Sequence, residues 1–172
     1  MVGGILVSVS PNYLRLGLTL AVVTATLDQL AKYWLVALSG VAPGARMDAG
    51  RFVSIVNQRN PGISYSLFEM NGLAGQLLLA AIAVAVSIGI VVWLARGTSQ
   101  LAAVALGLIL GGAVGNAIDR PLRGGVIDFV ALHAGSFQWY VFNVADVAIV
   151  AGVIGLLYES LVATRKKAAN SL

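Results

Sequence analysis

The chain has 172 residues, of which 59% are apolar and only 10% charged, with a mean hydropathy of +0.90. Soluble globular domains carry about 25% charged residues, so this composition excludes an ordinary water-soluble fold. Cysteine is absent, which excludes a disulfide framework, a thiolate nucleophile and a cysteine-ligated metal. The net charge of +4 is too diffuse to suggest nucleic acid as a partner. Its one dense cluster, Arg165-Lys166-Lys167, follows an apolar segment and reads as a juxtamembrane anchor.

The opening segment, MVGGILVSVSPNY, lacks the positive start of a signal peptide and reads as a poorly ordered or interfacial lead-in. Four segments then reach the length needed to cross a hydrocarbon core of about 30 Å. They run over about 16–38, 73–95, 101–118 and 139–162, within a single integral membrane domain spanning 1–172. The expected fold is membrane all-α, four transmembrane helices with a small extracytoplasmic β-element in the first long loop. That loop, 39–72, contains RFVSIV and ISYSLF, two β-prone runs separated by NQRNPG. The link at 96–100 is short, so the second and third helices are antiparallel neighbours. The second long loop is 119–138.

An even number of spans puts both termini on one side. Arg15, Arg96, Arg165, Lys166 and Lys167 fall on that side, and Arg46, Arg51, Arg59, Arg120 and Arg123 on the other. The raw count is balanced. Closeness to helix ends favours cytoplasmic termini, because Arg46, Arg51 and Arg59 lie well inside a long loop.

Polar residues are costly in such a chain and mark its candidate sites. Asp28 and Lys32 are four apart on one helix face, in the favourable acid-before-base order. They form either a structural ion pair, with Lys32 snorkelling to the interface, or a polar platform for a substrate. Asn60-Pro61-Gly62 has turn composition, and Gly111 and Gly115 have the spacing that lets helix backbones approach closely. Asn116 follows on the same helix and needs hydrogen-bond partners. Asp119-Arg120 reads as a local ion pair closing the helix. Trp139 and Tyr140 read as interfacial anchors. His133, the only histidine, is expected in a loop, and without a metal-binding pattern around it zinc is not expected.

Asp128 in GGVIDF and Asp146 in FNVADVAI stand out most. A carboxylate at the centre of a membrane helix costs about 2.5–3.5 kcal/mol on insertion scales, which makes it a functional-site hypothesis by default. Asn143 precedes Asp146 by three residues and shares its helix face. Two carboxylates held together cannot both ionise readily and share a proton. That is the aspartic-protease arrangement, in which one group deprotonates water and the other protonates the carbonyl or leaving amine.

Read in order, LDQLAK, NPG, GGAVGNAIDR, GGVIDF and FNVADVAI resemble the lipoprotein signal peptidases, the signal peptidase II family of intramembrane aspartic proteases. The resemblance implies that Asp128 and Asp146 are catalytic. It implies supporting or substrate-binding places for Asp28, Lys32, Asn60, Gly62, Asn116, Asp119, Arg120 and Asn143. The implied reaction removes the signal peptide from a prolipoprotein just before a cysteine carrying diacylglycerol, at the outer face of the bacterial cytoplasmic membrane. Implied partners are lipid-modified prolipoproteins and membrane lipids, with no nucleic acid, and a monomer is expected. No metal or organic cofactor is implied. The family fold adds a helix in the second loop. The chain departs from the family pattern at Pro61-Gly62-Ile63-Ser64-Tyr65 and at Val147, where the family has serine.

Competing readings are an inert relative that binds lipoprotein precursors and a small proton-coupled transporter, which the absence of evident inverted repeats disfavours. A serine–lysine protease using Ser64 or Ser66 with Lys32 has less support, because the pairing signal is acidic.

Overall fold

A computed structural model describes residues 11–62 and 72–169, the side chains of 11, 12, 163 and 165–169 apart. Residues 1–10 of the expected lead-in, the run ISYSLF with Ile63, Ser64, Tyr65 and Ser66, and the basic side chains of Arg165, Lys166 and Lys167 lie outside the described residues, while Pro11 to Tyr13, expected in the lead-in, begin the first helix.

Four helices dominate: α1 (Pro11–Tyr33), α2 (Leu73–Ala95), α3 (Gln100–Arg123) and α4 (Val144–Ala169). Helix α1 runs on through one wider turn, Trp34–Leu38, closed by the Ser39 amide on the Trp34 carbonyl. All four are long and apolar enough to cross a membrane. Helix α3 is the central one. Half of its span is buried, against 22% or less for the others, and α1, α2 and α4 all pack on it. The outward faces of the other three carry exposed Val, Leu and Ile, as a lipid solvent allows.

Close packing on α3 comes from missing side chains. A Cβ at Gly111 would lie 2.6 Å from the Ala21 carbonyl oxygen, and one at Gly115 would lie 2.6 Å from Asp28 Oδ2. The expected small-residue spacing therefore serves helix contact, as it does where no hydrophobic drive separates helix from lipid. Ser99 caps the start of α3, its Oγ accepting the Ala102 amide at 3.0 Å. Gly124, in the left-handed region at φ 69°, ends the helix and turns the chain.

The connections α1–α2 and α3–α4 meet at one end of the bundle in a four-stranded antiparallel sheet of order β1-β2-β3-β4. Its strands are β1 (Arg46–Asp48), β2 (Val53–Asn60), β3 (Val126–Ala134) and β4 (Phe137–Phe142). The sheet is larger than one strand pair in the first loop, because the second loop supplies half of it. Residues expected to begin the fourth helix, Trp139 to Phe142, form β4. The run FQWYVF is aromatic and β-branched, a composition that favours strands, and an apolar run cannot by periodicity alone be told from a helix. Consequently Asp146 lies in the first turn of α4, not two turns into a span. His133 sits in β3, not in a loop. No helix forms among residues 124–143: the third helix extends to Arg123, and the remainder is hairpin.

Gly111→Leu is expected to force α1 from α3 and to destabilise the protein by about 1–3 kcal/mol, measured as a lowered thermal midpoint in detergent.

Candidate active site

Strand pairing brings the first two site residues together. Asn60 lies opposite Val126 across β2 and β3, so Asp128 is its diagonal neighbour on the same sheet face. The Asn60 amide donates to Asp128 Oδ2 at 3.2 Å, and Asn60 Oδ1 accepts the Gly62 amide at 3.0 Å. The β3–β4 hairpin then returns the chain, with Phe142 opposite Val130, and delivers Asn143 beside Asp128.

Asn143 is where the two carboxylates meet. Its Nδ2 donates to Asp128 Oδ1 at 2.7 Å, and its backbone N–H donates to Asp146 Oδ2 at 3.2 Å. The return bond runs from the Asp146 amide to Asn143 Oδ1 at 2.9 Å. Asn143 and Asp146 thus form a reciprocal capping box, the arrangement that satisfies two otherwise orphaned donors at a helix start. The same three-residue spacing that reads as a shared helix face is the spacing of this cap. Sequence reasoning missed it, although N-x-x-D before an apolar run carries its signature.

Asn116 completes the ring around Asp146. Its Nδ2 donates to Asp146 Oδ1 at 3.1 Å, while its Oδ1 accepts from Asn143 Nδ2 at 3.2 Å and from Lys32 Nζ at 2.9 Å. Those two donors fix which way the amide faces.

Lys32 anchors this array from behind. It is fully buried, 2.7 Å from Asp28 Oδ2 and 2.7 Å from Asp119 Oδ2. Its three N–H bonds thus match three acceptors on two helices, and the side chain does not snorkel. Asp28 Oδ1 accepts the Ala145 amide of α4 at 2.9 Å. Asp119 also pairs with Arg123 and accepts from Gln29 Nε2 at 3.0 Å and the Ile127 amide at 3.2 Å.

The expected Asp119–Arg120 pair does not form. Neighbouring helical residues point about 100° apart, so Asp119 turns to α1 while Arg120 reaches α2. Arg120 donates to Gln76 Oε1 at 3.1 Å and to the Gly62 carbonyl at 3.0 Å. Gln76, Gln29 and Arg123 were not singled out from sequence. The signal available for Gln76 was a lone amide in the first turns of a helix without charge.

These groups form the polar end of a cleft of about 640 Å³. Asn60, Gly62, Asn116, Arg120, Asp128 and Asp146 line it on one side. Apolar residues of β4 and the α4 face Val147, Val150 and Ile154 line the other. Val147 is 54% exposed, so the valine that departs from the family pattern borders the cleft beside Asp146. Asp28, Lys32 and Asp119 lie behind this wall and do not line the cleft.

Burial, reinforced by the nearby Asp146 carboxylate, pushes Asp128 from the ordinary carboxylate range up to about 7. The amides of Asn60 and Asn143 and the Lys32 charge oppose that rise. Away from this site, Asp48 is held below the usual range by the Ser54 hydroxyl, which donates to it at 2.7 Å. Ser54 also contacts His133 Nε2 at 3.0 Å. Asp48 here holds the serine rather than the histidine, and Ser54 is fully buried, so this group offers no exposed nucleophile.

A family model described as Signal peptidase (SPase) II matches residues 20–162. The chain belongs to the signal peptidase II family. It is 50% identical over 147 residues to a lipoprotein signal peptidase of Methylorubrum extorquens strain PA1, covering 86% of each chain. It is 45% identical over 152 residues to one from Rhodopseudomonas palustris strain TIE-1, covering 86% of this chain and 93% of that one. Its fold matches a solved bacterial membrane enzyme with a TM-score of 0.75 at 26% identity, over 88% of this chain and 90% of the other. The family and the four-helix membrane fold agree with the resemblance carried by the five ordered motifs.

Two outcomes follow from the electrostatics. Lys32→Met, which strips the buried Asp28 of its ion pair and takes one of two cations from Asp119, is expected to destabilise the protein by about 3–5 kcal/mol, read from thermal unfolding in detergent. Asp128 carries a raised pKa when folded, so the folded state retains a proton that the unfolded chain releases near pH 4, and wild-type stability declines between about pH 4 and 7. Asp128→Asn escapes that decline. Its thermal midpoint is expected to exceed the wild type's above pH 7, with the excess shrinking as pH falls toward 4.

Proposed function

We propose that the protein is an aspartic endopeptidase that removes signal peptides from diacylglyceryl-modified prolipoproteins, cleaving before the lipid-modified cysteine, with Asp128 and Asp146 as its catalytic pair. The observation that carries this reading is the bridge at Asn143. One residue binds both carboxylates at the polar end of a cleft whose other wall is apolar. A substrate that is peptide on one side and lipid on the other matches both halves of that cleft.

In this reading the pair works with one proton. The reading places that proton on Asp128, whose buried carboxyl is pushed up to about 7, and has Asp146 take a proton from water as the water oxygen attacks the scissile carbonyl. Asp128 gives its proton to the carbonyl oxygen, and a tetrahedral diol forms. The C–N bond then breaks as the carbonyl re-forms. One diol hydroxyl returns its proton to Asp128, and the nitrogen takes the proton held by Asp146. The products are a new carboxyl terminus and an amine on the lipidated cysteine, and the pair ends as it began.

The supporting residues divide by position. Asn116 and Asn143 hold the carboxylates in place, and Asn60, Gly62 and Arg120 form the peptide side of the cleft. Asp28, Lys32 and Asp119 brace α1 and α3 against the start of α4. The diacylglyceryl chains rest on the α4 face Val147, Val150 and Ile154, which extends about 12 Å from Asp146 at 1.5 Å per residue. With cytoplasmic termini, the sheet and the pair lie at the outer face of the membrane. The enzyme acts as a monomer.

Asp128→Asn and Asp146→Asn are each expected to lower cleavage of a synthetic diacylated prolipoprotein by about 100- to 10,000-fold while the protein still inserts. Cleavage at wild-type rate by either variant overturns the assignment. Wild-type kcat/KM is expected to fall as pH rises past about 7, where Asp128 loses the shared proton.

A further inference from the structure

Helix α2 reaches the neighbourhood of the site through an amide side chain. Gln76 sits in the first turns of an otherwise apolar helix and is 1% exposed. A buried amide costs stability unless both its ends are bonded, and both ends of Gln76 are. Its Nε2 donates to the Pro61 carbonyl at 2.6 Å, and its Oε1 accepts from Arg120 Nη1 at 3.1 Å. Arg120 Nη2 in turn donates to the carbonyl of Gly62. Consecutive carbonyls of the Asn60-Pro61-Gly62 segment are therefore gripped by two side chains that also bond to each other. Pro61 has no N–H of its own, and the Gly62 amide is taken by Asn60 Oδ1. With that oxygen engaged, the Asn60 amide nitrogen faces Asp128.

We infer that Gln76 is a positioning residue for the catalytic pair: it locks the Asn60-Pro61-Gly62 segment so that the Asn60 amide is held on the Asp128 carboxylate. Gln76 touches neither carboxylate. It acts through Pro61 and Asn60, and it couples that contact to Arg120 on α3. This inference rests on the aspartic reading for its effect on catalysis, but the coupling of Gln76 to Asp128 does not depend on turnover.

Asp128 faces Asp146 from α4, Lys32 from α1 and Arg120 from α3, and Gln76 substitutions leave those charges in place. What changes is the amide donor. Releasing Asn60 removes a bond that favours ionised Asp128, so the titration of Asp128 moves upward, by about one pH unit for a bond of ordinary strength.

The test follows the Asp128 carboxyl carbon by carbon-13 NMR in detergent micelles, for wild type, Gln76→Met, Asn60→Ala and the double variant. Met matches the length of Gln and keeps the helix packed. The expected result is an upward shift in both single variants and no further shift in the double variant. Unchanged titration in Gln76→Met, or shifts that add in the double variant, overturns the proposal. Gln76→Leu also leaves every charge in place and removes the donor to Pro61, so it covers the case in which Gln76→Met does not fold. It is expected to match Asn60→Ala, and wild-type titration in it overturns the proposal. In cleavage assays the fall of kcat/KM with rising pH moves up with the NMR titration. A shifted titration in the variants, together with no prolipoprotein cleavage by the wild type, sinks the peptidase reading and leaves the Gln76 coupling standing.

Discussion

A single buried ammonium organises the polar end of this molecule. Lys32 has three hydrogens and three acceptors, on Asp28, Asp119 and Asn116, and each acceptor leads to a different part of the site. Asp28 passes to the Ala145 amide in the first turn of α4, Asp119 to the start of β3 and Asn116 to Asp146. The charges close on themselves, since Asp28 and Asp119 are balanced by Lys32 and Arg123. A neutral, fully bonded cluster can be kept in an apolar bundle where an isolated charge could not. It leaves the Asp128–Asp146 pair as the place where negative charge is crowded.

That crowding is created by chain reversal. Asp128 and Asp146 are 18 positions apart, yet they sit at the two feet of one hairpin, joined through Asn143. The sheet fixes Asp128, and the capping box fixes Asp146 to the start of a rigid helix. Neither carboxylate depends on a free loop for its position. Sites on sheet and helix are more precisely held than sites on loops, which suits chemistry that needs two groups in register with one water.

Much of this was legible in the sequence for a physical reason. A chain with 10% charged residues holds few carboxylates, so Asp28, Asp119, Asp128 and Asp146 stood out as candidates. The helices were equally plain, because each needs a long apolar run. What escaped was the partner of each polar group. Asp119 and Arg120 are adjacent in sequence and diverge in space, and Gln76 meets the site only through tertiary contact with residues 61 and 120. Trp139 to Phe142 were assigned to a helix because hydrophobicity marks burial or lipid contact without fixing the backbone. Their strand character depends on β3 offering hydrogen bonds, which periodicity cannot register.

The hairpin carries one more implication, about length. Asp128 and the Asn143–Asp146 cap lie at its open end, while the turn at Gly135 lies at its far tip. Residues added or removed there in pairs preserve the alternation of faces, and the one-residue irregularity between Ala131 and His133 shows where the ladder already absorbs an odd offset before the open end. The tip can therefore lengthen or shorten by twos with the reactive end undisturbed. Evolution, or an engineer, has in that turn a place to reshape what the enzyme presents to its surroundings without touching its chemistry.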